Sequence, residues 1–199
     1  MNRLWIVLTA TAALASGTLT VAGPAPAAAA AGNTAPASAR APYAAAMTTE
    51  HGHPRVLGVG GAGVYRIGAS LAALTAAGRI DWTAPGCAGV VNAGVAGSWA
   101  GVLLLAFRDG RLVEVGTATA PPRSPAGASV GMSFDELEAI YGSRGALIRN
   151  DAGTAEAYLV RFGSRVELFT GHPIRPGVGY FQVGLASYVE RNFRQGGTC

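Results

Sequence analysis

The chain has 199 residues with 15 basic side chains, every one an arginine, against 11 acids, for a formal net charge of +4. The arginines are scattered singly rather than in runs, which argues against a nucleic-acid surface. The absence of lysine reads as the coding bias of a GC-rich genome, with selection for planar, bidentate anion contacts as the alternative.

The first 31 residues read as a secretory signal. Met1-Asn2-Arg3 is a short positive segment, residues 4–15 are an apolar core, and Ala25-Pro26-Ala27 and the following alanines offer cleavage sites. An uncleaved anchor is the alternative, since residues 4–22 are nearly long enough to span a bilayer. The order of charge, apolar core and small residues is the secretory one, so no membrane span is expected after cleavage. No cysteine follows the core, which excludes lipidation there. Residues 32–55 are a linker rich in Ala and Pro, unable to offset the entropy of ordering. About 170 residues remain, enough for one domain or two small ones sharing a core. The 29 glycines favour turns and short strands.

A short phrase occurs twice. Ile67-Gly68-Ala69-Ser70-Leu71-Ala72-Ala73-Leu74 returns as Val130-Gly131-Met132-Ser133-Phe134-Asp135-Glu136-Leu137. Each copy runs through Gly into a Ser suited to cap a helix, which points to a duplicated α+β unit, 56–120 and 121–199. In the first unit, Ser70 caps a helix with Leu71, Leu74 and Ala77 on one face, and Gly78 stops it. Ile80-Asp81-Trp82 leads into a loop carrying Pro85 and Cys87, and residues 89–95 make a first strand. Asp109-Gly110 turns a hairpin between 101–108 and 111–116. Residues 102–107 are apolar throughout, the mark of a central strand covered on both faces.

Residues 119–126, with three prolines, connect the units. Ser133 and Glu136 form a capping box. Phe134, Leu137, Ile140 and Tyr141 make the buried face of the second helix, which Gly142 ends. Asp135, Glu136 and Glu138 complement the helix dipole; as paired carboxylates they lack a partner base. Residues 146–149, 156–162 and 165–170 alternate as strands, with turns at 150–153 and 163–164. The end, 181–193, reads as a strand giving way to a short helix. The fold class is therefore α+β, with short helices packed on one face of antiparallel strands.

The two cysteines, Cys87 and Cys199, are expected to form a disulfide, the default for an exported pair. It would close a long loop, worth about 4–5 kcal/mol in the chain-entropy model. Two free thiols is the alternative.

Three motifs resemble catalytic or ligand sites. Gly58-Val59-Gly60-Gly61-Ala62-Gly63, with Asp81 downstream, fits the dinucleotide pattern, but the helix begins too far beyond it to carry a pyrophosphate. Gly127-Ala128-Ser129-Val130-Gly131 fits a nucleophile elbow, with Asp151 and His172 following in hydrolase order. Prolines stand where its strand should be, and Arg66 holds the place of Ser129 in the first copy. His51-Gly52-His53 has no third ligand nearby. No cofactor or metal site is expected.

The doubled opening, apolar-Gly-x-Ser before a helix, resembles the start of each repeat in beta-lactamase inhibitory protein. The small lipoprotein of the outer-membrane barrel assembly machinery is similar at the same phrase. The whole chain also resembles exported actinobacterial proteins with an Ala-rich leader, few lysines, one mid-chain cysteine and one at the end. The resemblance implies helices on a sheet and a binding role. It carries over no inhibitory contact residue, and a disulfide joining two units departs from the inhibitor family's pattern. The expected function is a non-catalytic binding or inhibitor-like module, secreted or wall-associated, for a protein or cell-envelope partner. A small secreted serine hydrolase using Ser129, Asp151 and His172, or a wall-associated structural protein, are the alternatives.

Overall fold

The computed structural model describes residues 55–197. The leader, the linker up to residue 54, the His51 and His53 pair and Cys199 lie outside the described residues. The glycine-rich motif makes a turn closed by reciprocal backbone hydrogen bonds of Gly58 with Gly61 and leads into a two-stranded ribbon, β1 (Gly61–Ala62) and β2 (Tyr65–Arg66), that turns at Gly63-Val64. Among the described residues no strand of the large sheet precedes the motif, as a phosphate loop would need.

Helix α1 (Leu71–Ala76) follows, then strands β3 (Ile80–Pro85), β4 (Val90–Val95), β5 (Leu104–Arg108) and β6 (Arg111–Thr117). Helix α2 (Phe134–Tyr141) precedes β7 (Gly145–Arg149), β8 (Glu156–Phe162), β9 (Arg165–Gly171) and β10 (Val178–Leu185), and α3 (Ala186–Arg194) comes last. The six residues Ile80–Pro85 thus form a strand where a lead into a loop was expected. Pro85 is tolerated because β3 lies at the sheet edge, where no ladder donor is required of it.

Strands β3 to β10 form one antiparallel sheet in the order β3-β4-β5-β6-β10-β9-β8-β7. A helix followed by a four-stranded meander therefore occurs twice, and the two last strands meet at the centre. The repeated phrase is built the same way both times. Gly68 has φ +93° and Gly131 φ +90°, a region open to glycine. Gly68 N donates to Leu112 O at 2.7 Å and Leu112 N to Ala69 O at 2.9 Å; Gly131 N donates to Val178 O at 2.9 Å and Val178 N to Met132 O at 2.8 Å. Each phrase is thus pinned to the start of the last strand of its own meander. Ser70 then caps α1 and Ser133 caps α2, the latter with Glu136 completing the capping box.

Period-two alternation divides the apolar residues into two clusters on opposite faces. One contains Leu105, Phe107, Val160, Phe169, Phe181 and Val183, joined by Leu74 of α1 and Leu137 and Tyr141 of α2. The other contains Ala106, Leu159, Val166 and Leu168, joined by Tyr188, Val189 and Phe193 of α3. A single helix-covered face therefore does not describe this sheet. The cause is local: β10 runs straight into α3, and Ala186 N bonds Ser164 O at 2.9 Å, which folds α3 back over the side that shows Val166 and Leu168.

Under α2, Tyr141 Oη donates to Glu167 Oε2 at 2.5 Å and lies 2.7 Å from Ser124 Oγ. Burial raises the Glu167 carboxyl above the usual carboxylate range, with Tyr141 opposing. This satisfied polar group sits inside the core, away from any opening.

Candidate functional site

The face that carries α3 is not covered along its whole length. Strand register sets its rows. Trp82, Gly94, Leu104 and Gly116 are neighbours across β3, β4, β5 and β6, and Asn92, Ala106 and Glu114 form the next row. Two of these strand positions must be glycine. A Cβ on Gly94 would collide with the Trp82 indole, and one on Gly116 with the Tyr180 phenol, so each ring lies flat against bare backbone. Trp82 and Leu104 remain 45% and 44% exposed.

Between the rings is a hollow of about 270 Å³, lined by Trp82, Asn92, Leu104, Ala106, Glu114 and Tyr180. Glu114 is the charged group of its wall and is only 9% exposed. It accepts a hydrogen bond from the Tyr180 hydroxyl. The Gln182 amide nitrogen, turned toward it, donates to Oε1 at 2.9 Å and Oε2 at 3.2 Å. Both donors are neutral. Burial therefore dominates and pushes the Glu114 carboxyl up to about 7, against the weaker opposing effect of the Tyr180 hydrogen bond. Tyr180 is itself raised, by burial first and then by the neighbouring Glu114 charge. Arg108, two residues beyond Ala106 on the same face, stacks its guanidinium 5.1 Å from the centre of the Tyr188 ring on α3.

The residues singled out for hydrolysis do not assemble. Ser129 is 3% exposed and its Oγ donates to Val130 O at 3.3 Å. His172 accepts from Ile174 N at Nδ1, and its Nε2 faces Arg175 Nη2, both at 3.2 Å. Asp151 sits in the turn after β7, its backbone N bonded to Arg194 O. Among the described residues no hydrogen bond joins the Ser129, His172 and Asp151 side chains, and a nucleophile needs its base within hydrogen-bond reach. A broader hollow of about 510 Å³ includes Val130, Gly131, His172 and Arg175 in its lining but not Ser129. The acids Asp135 and Glu138 stay on the exposed side of α2, and Glu136 is engaged by the Ser133 cap. Among the described residues no group of His, Cys, Asp and Glu is placed to hold a metal.

Glu114 and Gln182 were not among the residues the sequence singled out, whereas Tyr180 and Trp82 were among the aromatics open to an anchor patch. The available signal was an isolated acid in the apolar run Leu112-Val113-Glu114-Val115, with glycines inside neighbouring strands.

No protein-family model matches the chain, and no curated protein does. Among the solved structures with a partial likeness to this chain are two bacterial proteins. One is a cysteine-rich secretory protein from Staphylococcus aureus subsp. aureus Mu50, 12% identical, TM-score 0.37, with 61% of this chain and 45% of that chain covered. The other is an extracellular protein containing an SCP domain from Bacillus anthracis str. Ames, 12% identical, TM-score 0.42, with 65% and 46% covered. The chain thus spans under half the length of either. No helix among the described residues is long and apolar enough to cross a membrane.

Proposed function

We propose that the protein is exported and acts as a non-catalytic binding module, taking a protein or cell-envelope partner on the open end of its sheet face. The observation that carries this reading is the exposed Trp82 and Leu104 pair beside the Glu114 hollow. Large apolar side chains held rigidly around a convergent polar group are what a binding surface requires. The leader in residues 1–31 supports export. The two helix-plus-meander halves are read as copies of one unit, supported by the matching glycine conformations and strand contacts of the doubled phrase.

The test is capture from culture medium and washed cell walls with wild-type protein and with Trp82→Ala. A partner recovered by the wild type and reduced at least about tenfold by the substitution is expected, the loss typical of an aromatic hot spot. Equal recovery by both proteins would remove this face as the site.

We also propose that Cys87 and Cys199 pair. Cys87 sits in the β3–β4 connection. Non-reducing peptide mapping is expected to show one linked peptide containing both cysteines; alkylation of both without prior reduction would exclude it.

A further inference from the structure

We propose that the Glu114 hollow binds a primary ammonium on a short aliphatic stem, the cation seated on the Glu114 carboxylate and the stem laid across Leu104 against Trp82. This deepens the reading of the open face as the binding surface and rests on it.

The carboxyl is the reason. A buried carboxylate is costly unless a cation accompanies it. Glu114 has two neutral donors, Tyr180 and Gln182, and none of the ion pairs among the described residues includes it. Arg108, the nearby cation, is held on the Tyr188 ring. The group thus lacks a positive partner, and the hollow beside it has room to admit one.

The walls specify the rest of the ligand. Leu104 and Ala106 offer an apolar floor, and the outward indole face of Trp82 offers a wall suited to methylenes. Trp82 rests over Gly94 on β4 and Glu114 projects from β6, two strands away, so the span is about 10 Å. A four-carbon ammonium with its van der Waals envelope fills that distance. A free small amine and a lysine-type side chain share this chemistry.

The groups that face Glu114 are Tyr180 and Gln182 from β10 and Tyr188 from α3, with Arg108 of β5 on the Tyr188 ring. Both phenols are raised from their ordinary value, so the carboxyl is the group that titrates near neutrality. An alkylammonium binds the ionised form. Its affinity should therefore climb about tenfold per pH unit from roughly pH 5 to 6.5 and level off above 7.

The experiment titrates the full protein with n-butylammonium chloride, n-butanol as neutral isostere, and Nα-acetyl-lysine methylamide, across that pH range. Wild type and Glu114→Gln are compared by calorimetry. Binding of the amines is expected, with butanol and the Gln variant each at least about tenfold weaker and the pH dependence gone in the variant. Tighter binding of the lysine compound than of butylammonium assigns the cation to a peptide side chain; equal or weaker binding assigns it to a free amine. Equal affinity for butanol, an unaffected Gln variant, or no binding of either amine at millimolar concentration would overturn the proposal. If amines fail while partner capture still depends on Trp82, the ammonium is wrong and the face stands; failure of both removes both.

Discussion

Glu114→Gln is expected to make the protein more stable above neutral pH, by about 3 kcal/mol. In the folded chain the carboxyl is raised to about 7 because it is buried among neutral donors. Unfolded, it titrates in the ordinary carboxylate range. The folded state therefore binds the proton more tightly, and the wild type loses stability as pH rises from about 4.5 through about 7, with no further loss above. Glutamine keeps the shape and a hydrogen-bonding head but carries no charge, so this loss is absent from the variant. Near pH 4, where the carboxyl is protonated in both states, the two proteins should agree within about 1 kcal/mol. Urea denaturation at several pH values measures the difference. Wild-type and variant stabilities that run parallel from acid to alkaline pH would show that Glu114 is not a desolvated charge. A residue that lowers stability above neutral pH marks a site kept for another purpose.

Phe169→Ala is expected to have the largest effect of any core substitution here, about 3–5 kcal/mol. Phe169 is fully buried on β9, stacked on Phe181 of β10 with ring centres 4.3 Å apart and planes at 6°. It also meets Tyr141 of α2 at 5.9 Å. Its removal takes out one ring of the aromatic stack and one wall of the packing beneath α2 in a single step. That is a large share of the total stability of an ordinary domain. Phe162→Ala, at the 41% exposed end of β8, should cost under about 1 kcal/mol and serves as the control. Urea midpoints measure both; similar midpoints would place Phe169 outside the cooperative core.

Local features of the chain were readable because their causes are local. Ser70 and Ser133 cap helices at the expected places, and the Ser133–Glu136 box closes as its spacing requires. Asp109 and Gly110, at φ +51° and +69°, make the left-handed turn that their identities favour between β5 and β6. What was not readable depends on strands distant in the chain. Residues 102–107 looked covered on both faces, yet Leu104 is 44% exposed and lies outside the cluster that α3 covers. Glu114, a lone acid in an apolar run, drew no reading of its own. It becomes a buried acid only when β10 pairs with β6 and brings Tyr180 and Gln182 beside it. Ile80-Asp81-Trp82 was hidden by Pro85, whose exclusion from strands lapses at an edge.

The pairing of β6 with β10 also orders events in time. Val115 lies opposite Val183, so the middle of the sheet is made by segments far apart in the chain, and β10 is the last strand to leave the ribosome. Until it arrives, both meanders hold an unpaired interior edge, β6 on one and β9 on the other. The central seam cannot close early, and a chain interrupted before residue 178 would present two apolar edges suited to pairing with other chains. Under the proposal that the protein is exported, a seam that forms only after the last strand of the sheet emerges suits passage through a membrane as an extended polypeptide.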